Sequence, residues 1–177
     1  MGRGESGEGP EVDSSSVLRF LELAEGAGLD ICIDGGWAVD ALLGYQSRAH
    51  SDIDIALPAS DVPPLKELLD ELGLRESPME DSWEHNFVYC SKSKGWAVDV
   101  HSYVLDEQGN NVGGVPYEQK HLKGSGVIQG HIVKCVPAKW VVKFHTGYEV
   151  GQKDWHDVKL LCERFGLEIP AVFQRFM

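Results

Sequence analysis

Two aspartates, Asp52 and Asp54, flank a single isoleucine in the segment SDIDIALP. The strict alternation of acidic and apolar residues predicts a β-strand that carries both carboxylates on one face. Because like charges on one strand face repel each other, the pair is unfavourable unless a cation lies between them. Carboxylates at this spacing, together with substrate phosphates, can hold Mg²⁺. The segment therefore favours a magnesium site over its alternative, an edge strand with a solvated acidic face.

A third aspartate, Asp99, lies in the apolar segment WAVDVHSYVL, which predicts a further strand. A carboxylate buried there needs a partner, and a metal shared with Asp52 and Asp54 supplies one. His101 follows two residues later, so it lies on the same strand face as Asp99. An exposed face that carries both Asp99 and His101 is an equally good interpretation of this segment on its own.

A glycine pair, Gly35 and Gly36, separates a predicted strand, LDICI, from a short predicted helix, WAVDALLG. Glycines that open a helix expose N–H groups and let the backbone approach phosphate oxygens closely. A tight strand-to-helix turn explains the same pair without any ligand. Arg48 and His50, just before the paired aspartates, are the nearest candidates to contact phosphate or to orient a metal-bound carboxylate. We interpret Asp40, one turn into the helix, as structural.

The elements that position these residues alternate between helix and strand and become helical after Pro137. This order predicts an α+β (α/β) fold. We expect a disordered tail at residues 1–15, a core at residues 16–136, and a helical C-terminal lobe, packed on the same domain, at residues 137–177. The predicted N-cap of the first helix is Ser16.

The overall composition narrows the range of partners. The 177 residues include 16 Lys and Arg against 28 Asp and Glu, a net charge of −12. Since phosphate backbones attract cationic surfaces, this charge argues against a nucleic-acid binder and suits a cationic small molecule. No apolar run reaches the roughly 20 residues that span a bilayer. The four cysteines lie far apart among apolar neighbours, which indicates buried free thiols and a cytoplasmic protein.

The combination of G-G-W, D-x-D and a later Asp resembles the nucleotidyltransferase superfamily of the DNA polymerase β type. The run GGWAVDALLGYQSRAHSDIDI is similar to the small antibiotic nucleotidyltransferases, above all to the lincosamide nucleotidyltransferases, and less closely to the aminoglycoside adenylyltransferases. The segment KFHTGYEVGQKDWHDVKLL is also similar to the lincosamide enzymes. This resemblance covers the chain from Ser16 to its end. It implies a polymerase β-like mixed-sheet core flanked by helices, with a small helical C-terminal lobe.

The resemblance implies a role for each matching residue. Asp52 and Asp54 match the paired aspartates that hold two catalytic Mg²⁺ ions. Asp99 matches a third carboxylate, which acts as a metal ligand or as the general base. Gly35 and Gly36 match the pair that touches the nucleoside triphosphate. Many members have Gly-Ser at this place, whereas Gly36 offers a phosphate only its N–H, so triphosphate binding depends more on cations elsewhere.

Further candidates lie elsewhere in the sequence. Lys143 and Lys159, in the C-terminal lobe, are the candidates to bind the triphosphate, and the alternative for Lys143 is an ordinary solvated helix lysine. Trp83 and Glu84, in the polar stretch MEDSWEH, are candidate contacts of the acceptor.

The predicted function is Mg²⁺-dependent transfer of a nucleoside monophosphate, AMP in the first place, from an NTP to a hydroxyl of a small antibiotic. A lincosamide is the first choice of acceptor and an aminoglycoside the second. Two alternatives stay open: a protein-modifying nucleotidyltransferase antitoxin, and a non-catalytic nucleotide-binding module of the same fold. The resemblance also allows a homodimer that is formed through the C-terminal helices.

Overall fold

Eight strands form one mixed β-sheet in the computed structural model, which describes residues 10–177. The strands are β1 (Cys32–Asp34), β2 (Asp52–Pro58), β3 (Leu74–Glu76), β4 (Asn86–Ser91), β5 (Ala97–Leu105), β6 (Asn111–Gly114), β7 (Gly124–Ile128) and β8 (His131–Cys135). Their order in the sheet is β3-β4-β5-β2-β1-β8-β7, and β6 pairs with the last part of β5. The central strand β2 is antiparallel to β1 and parallel to β5.

Five α-helices flank this sheet within the described part of the chain. They are α1 (Ser14–Gly26), α2 (Gly35–Leu43), α3 (Val62–Glu71), α4 (Ala138–Phe144) and α5 (Gln152–Phe165). Three short 3₁₀ helices complete the set, at Ala59–Asp61, Gln119–His121 and Ala171–Phe176. Helix α2 packs against β1, β2, β7 and β8. A mixed sheet with flanking helices confirms the predicted α+β (α/β) class.

Strand β2 shows the alternation that its sequence predicts. Ile53 and Ile55 are fully buried, whereas Asp52 and Asp54 on the opposite face are only half-buried. The isoleucine face belongs to the hydrophobic core. Because side chains alternate along a strand, anchoring the isoleucines in the core forces both carboxylates onto the other face.

The ordered part of the chain begins before residue 16, where the sequence predicted its start. Helix α1 begins at Ser14, and its N-cap is Asp13, whose Oδ1 accepts the N–H of Ser16 at 2.7 Å. Val12 is fully buried, and its N–H donates to the carbonyl of His50 at 2.8 Å. The prediction of Ser16 as N-cap and of disorder up to residue 15 is therefore wrong for residues 10–15. The rest of the predicted tail, residues 1–9, lies outside the described residues.

The helices after Pro137 contact the sheet-bearing part through α2, which packs against both α4 and α5. Trp155 on α5 stacks on Phe173 and Phe176, at ring-centroid distances of 6.1 and 6.3 Å. The terminal segment is thus fastened to α5 by aromatic contacts.

No helix among residues 10–177 has the length and the apolar character needed to cross a bilayer. All four cysteines are free thiols. Burial raises the pKa of Cys135 to about 12, so this thiol is chemically inert at neutral pH.

Candidate active site

The register of the central strands places three carboxylates in one row. Asp34 at the end of β1 pairs with Asp54 on β2, and Asp54 pairs with Asp99 on β5. Neighbouring strands lie about 4.8 Å apart, so residues paired in this way have their side chains side by side. Asp52 lies two residues before Asp54 on the same face. The structure therefore brings the three predicted aspartates together and adds Asp34, which belongs to none of the sequence motifs.

A cleft of about 310 Å³ opens over this row. Its floor comes from the sheet and the start of α2, and its wall comes from the C-terminal lobe. The lining residues are Asp34, Gly35, Gly36, Asp54, Asp99, His101, Phe144, His145 and Tyr148. Strand ends, a helix N-terminus and the lobe thus surround one cavity, which is the usual arrangement of a small-molecule site.

Burial and mutual repulsion make ionisation of the clustered carboxylates unfavourable. Burial raises the pKa of Asp52 to about 6, and the neighbouring charge of Asp54 adds to this effect. Burial likewise raises the pKa of Asp99 to about 6, with further contributions from Asp54 and Asp52 that oppose the effect of His101. A group of carboxylates that resists ionisation for these reasons is stabilised by a bound cation.

His101 supplies a nitrogen ligand at the same place. Its Nε2 lies 3.6 Å from Oδ1 of Asp99 and 3.9 Å from Oδ1 of Asp54. One ligand atom from each of these three residues lies within 4.8 Å of the others. Burial disfavours the protonated imidazole, but the two carboxylates outweigh burial and raise the pKa of His101. Carboxylate oxygens with one imidazole fit a divalent metal ion.

Metal binding is therefore expected to depend on pH. A metal binds the ionised carboxylates, so protons compete with it below the raised pKa of Asp52 and Asp99, about 6 in each case. Between pH 7.5 and pH 5.0 we expect the affinity for Mg²⁺ to fall by about 100-fold, roughly tenfold for each carboxylate. Isothermal titration calorimetry at constant ionic strength measures this. An affinity that is equal at both values would show that these carboxylates do not bind the metal.

The conformation of the glycine pair is dictated by Asp54 and Asp34. Gly35 has a φ of +58°, and a Cβ at this position would overlap the carboxylate of Asp54. Asp34 is the N-cap of α2, and its Oδ1 accepts the N–H of Gly35 at 2.8 Å. Only glycine combines this backbone conformation with this close approach. The turn thus brings the N-terminus of α2 directly against the carboxylate of Asp54.

Gly36 is required for a different reason. A Cβ here would lie 2.5 Å from Nδ1 of His50 and 2.7 Å from Nη2 of Arg48. The ring of His50 cannot move away freely, because it is buried and its Nε2 lies 2.5 Å from Oδ2 of Asp40. This packing explains why the chain has Gly-Gly where many members of the superfamily have Gly-Ser.

Gly36→Ser is accordingly expected to destabilise the protein rather than to improve phosphate binding. Overpacking of this kind costs about 1–3 kcal/mol, and denaturant unfolding measures it. Gly147→Ser is a matched control, because a Cβ there has its nearest neighbour at 3.6 Å. Equal stability of the two variants would contradict the assignment of Gly36 to the His50–Arg48 contact.

Arg48 is held by a carboxylate from the C-terminal lobe. Its Nε donates to Oδ1 of Asp157 and its Nη2 to Oδ2, both at 2.8 Å. The side chain of Asp157 is 2% exposed, and Nε2 of His145 lies 3.7 Å away from it. Burial opposes ionisation of Asp157, but Arg48 and His145 outweigh burial and lower its pKa. The arginine therefore joins the loop before β2 to α5.

His50 and Asp40 form a second buried pair beside it. Oδ1 of Asp40 accepts both the N–H and the hydroxyl of Ser47, at 3.0 and 2.6 Å, while its Oδ2 faces His50. The imidazole also packs against Trp37, at a centroid distance of 4.7 Å. Asp40 thus has the partners of a structural residue, and the side chains of Arg48 and His50 contact protein groups next to Gly36.

The remaining candidates lie at the edge of the cleft or outside it. Nζ of Lys143 lies 5.4 Å from the ring centroid of Trp140, and Lys143 immediately precedes Phe144 and His145, which line the cleft. Lys159 pairs with Glu163 at 4.0 Å on the exposed side of α5. Trp83 is 51% exposed.

The chain is similar to known proteins in its sequence and in its fold. The family model for aminoglycoside-2''-adenylyltransferase matches residues 16–161. A lincosamide resistance protein of Staphylococcus haemolyticus is 26% identical over 155 residues, which cover 85% of this chain and 94% of that protein. A 2''-aminoglycoside nucleotidyltransferase of Escherichia coli is 27% identical over 165 residues, which cover 89% of this chain and 90% of that protein.

Among solved structures, the lincomycin-bound lincosamide antibiotic adenylyltransferase LnuA superimposes with a TM-score of 0.74 and 24% identity. The match covers 85% of this chain and 97% of that one. The fold is therefore the polymerase β-like nucleotidyltransferase fold that the sequence motifs resemble. With the family model matched over residues 16–161, the chain belongs to the aminoglycoside-2''-adenylyltransferase family.

Proposed function

We propose that the protein transfers AMP from ATP to a hydroxyl of a small, cationic antibiotic. The observation that carries the proposal is the row Asp34, Asp54 and Asp99 at the floor of the cleft, with the glycine turn of α2 against it. Carboxylates for metal ions and backbone N–H groups for phosphates are the two parts that nucleotidyl transfer needs. The names of the relatives supply the class of acceptor.

Asp52, Asp54 and Asp99 would hold two Mg²⁺ ions, with His101 as a further neighbour. When bound, such ions lower the pKa of an acceptor hydroxyl and neutralise the charge of the leaving pyrophosphate. Where Asp99 does not bind a metal ion, it would instead act as the general base that accepts the proton of that hydroxyl. Gly36 would offer its N–H group to the triphosphate, and Gly35, whose N–H donates to Asp34, would let the turn approach the phosphates closely.

The lobe contributes the other side of the cleft. Phe144, His145 and Tyr148 line the cleft together with the carboxylates, so the donor and the acceptor would be held between sheet and lobe. Lys143, one residue before Phe144, would bind the triphosphate at the rim. The proposed cytoplasmic location is supported by the free cysteines.

We place lincosamides first and aminoglycosides second as acceptors. The first is supported by the lincosamide resistance protein, of which 94% is matched, and the second by the family model and the E. coli relative. The net charge of −12 suits either class, because both carry amino groups that are protonated at neutral pH.

Mass spectrometry of lincomycin, clindamycin, kanamycin and tobramycin, each incubated with the protein, Mg²⁺ and one NTP, tests the proposal. The expected result is a gain of one AMP on a lincosamide with ATP. A gain on aminoglycosides alone would reverse the order of acceptors. No gain with any pair, from protein that binds Mg²⁺ and ATP, would remove the antibiotic as acceptor.

A further inference from the structure

One tyrosine reaches the back of the carboxylate row from outside the cleft. Tyr117 lies in the connection between β6 and β7 and is 5% exposed. Its hydroxyl donates to Oδ2 of Asp34 at 2.5 Å. Since Oδ1 of Asp34 accepts the N–H of Gly35, both oxygens of this partly buried carboxylate have a hydrogen-bond partner. Asp34 thus has protein partners at both oxygens, although it stands next to Asp54 in the sheet and lines the same cleft.

Tyr117 is itself fixed on two sides. Its ring makes edge contacts with Tyr103 and Phe144, each at a centroid distance of 5.9 Å. Its carbonyl accepts a hydrogen bond from Nδ2 of Asn111 at 2.9 Å. The phenol therefore has one defined position, from which it holds Asp34. Tyr117 itself is not among the residues that line the cleft.

The position of Asp34 determines that of the glycine turn. Asp34 caps α2 through Gly35, and Gly35 is so close to Asp54 that a single added carbon would overlap its carboxylate. Without the phenol, Oδ2 of Asp34 is a partly buried acceptor that lacks a partner and lies beside the charge of Asp54, which costs free energy. A rotation of the carboxylate toward another donor would weaken the hydrogen bond from the N–H of Gly35 to Oδ1.

We propose that Tyr117 is a positioning residue of the active site, which holds Asp34 as the cap of α2 and thereby keeps Gly35 and Asp54 in place. The inference rests on the proposed function only for the identity of the metal ligands. Tyr117 acts through Asp34 and touches neither metal nor substrate.

Tyr117→Phe tests this role, with Tyr103→Phe as its matched control. Tyr103 is a buried tyrosine in ring contact with Tyr117, and its hydroxyl makes no hydrogen bond within the described residues. In Tyr117→Phe we expect the amide of Gly35 to exchange with solvent at least tenfold faster, while the core amide of Ile55 is unchanged. We also expect about tenfold weaker binding of Mn²⁺ by electron paramagnetic resonance. Tyr103→Phe is expected to stay within twofold of the original protein in both measurements.

The variant Asp34→Ala separates this role from a general effect on packing. If Tyr117 acts through Asp34, then Tyr117→Phe accelerates Gly35 exchange in the original protein and adds less than twofold in the Asp34→Ala background. Equal acceleration in both backgrounds, or Tyr117→Phe values that match those of Tyr103→Phe, would overturn the proposal. Because amide exchange needs no metal, it decides the role of Tyr117 even if the protein binds no Mn²⁺, a result that would count against the proposed function instead.

Discussion

Asp54→Asn is expected to lower kcat for nucleotidyl transfer by a factor of at least about 10³. Asp54 stands between Asp34 and Asp99 in the sheet and contacts the glycine turn, so it is the central ligand of the proposed metal site. The amide keeps the size of the side chain but loses the negative charge that binds a hard cation. Steady-state rates at saturating Mg²⁺ and ATP measure the loss.

The fold should survive this change and even gain stability. Asp54 raises the pKa of Asp52 and Asp99, which means that its charge disfavours theirs in the absence of metal. We expect Asp54→Asn to unfold at an equal or higher temperature without Mg²⁺ and to lose the stabilisation that Mg²⁺ gives the original protein. Asp70→Asn, at an exposed pair with Arg75, is the control and should change neither quantity. An Asp54→Asn protein with more than a tenth of the original activity would contradict the assignment.

The parts of the site that were predictable from the sequence are those with a local signal. Alternation of Ile53 and Asp54 predicts a strand and its faces without knowledge of any neighbour, and the glycine pair predicts a turn from a strand into a helix. The pairing of Asp54 with Asp99 was predictable only from the resemblance to the nucleotidyltransferases, because strand register is set by contacts between distant segments.

Other parts had a weak signal or none. Asp34 precedes the glycine pair and could have been found as the N-cap of α2, but an N-cap aspartate is so common that it does not point to a site. The bond between Arg48 and Asp157 joins residues 109 apart in the chain, and nothing in either segment indicates the other. Arg48 and His50 were therefore predicted to contact nucleotide from their position alone, whereas their hydrogen bonds lie within the protein.

Asp157→Ala has the second large expected effect, a loss of about 3–5 kcal/mol in the free energy of unfolding. The variant leaves the guanidinium of Arg48, which is 23% exposed, without the carboxylate that holds both its Nε and its Nη2. It also removes the partner of His145, whose imidazole is buried. Denaturant unfolding measures the loss. Arg75→Met, which breaks an exposed pair, should cost less than about 1 kcal/mol.

The pH dependence of this loss has a defined sign. Arg48 and His145 lower the pKa of Asp157 below its usual value of 3.8. A carboxylate with a lowered pKa contributes stability above its unfolded-state pKa and loses it as pH falls through the folded-state value. The stability difference between the original protein and Asp157→Asn should thus shrink as pH falls below 4. Burial lowers the pKa of His145, but Asp157 outweighs burial and raises it above its usual value of 6.5, so a second part of the difference is lost as pH rises through that raised value. A difference that grows as pH falls below 4 would contradict the ion pair.

Variants of the Arg48–Asp157 ion pair show whether Arg48 has only a structural role or also binds phosphate. If Arg48 only joins the loop to α5, both partners can be replaced by apolar residues, as in the double variant Arg48→Met with Asp157→Leu. This variant should regain part of the stability that Asp157→Ala loses. Its KM for ATP should stay within about threefold of the original value. If Arg48 also contacts phosphate, as its position before the paired aspartates predicts, KM rises by tenfold or more in every variant without the guanidinium. Since Nη2 of Arg48 already lies beside Gly36, the guanidinium could serve both purposes only while Asp157 holds it there.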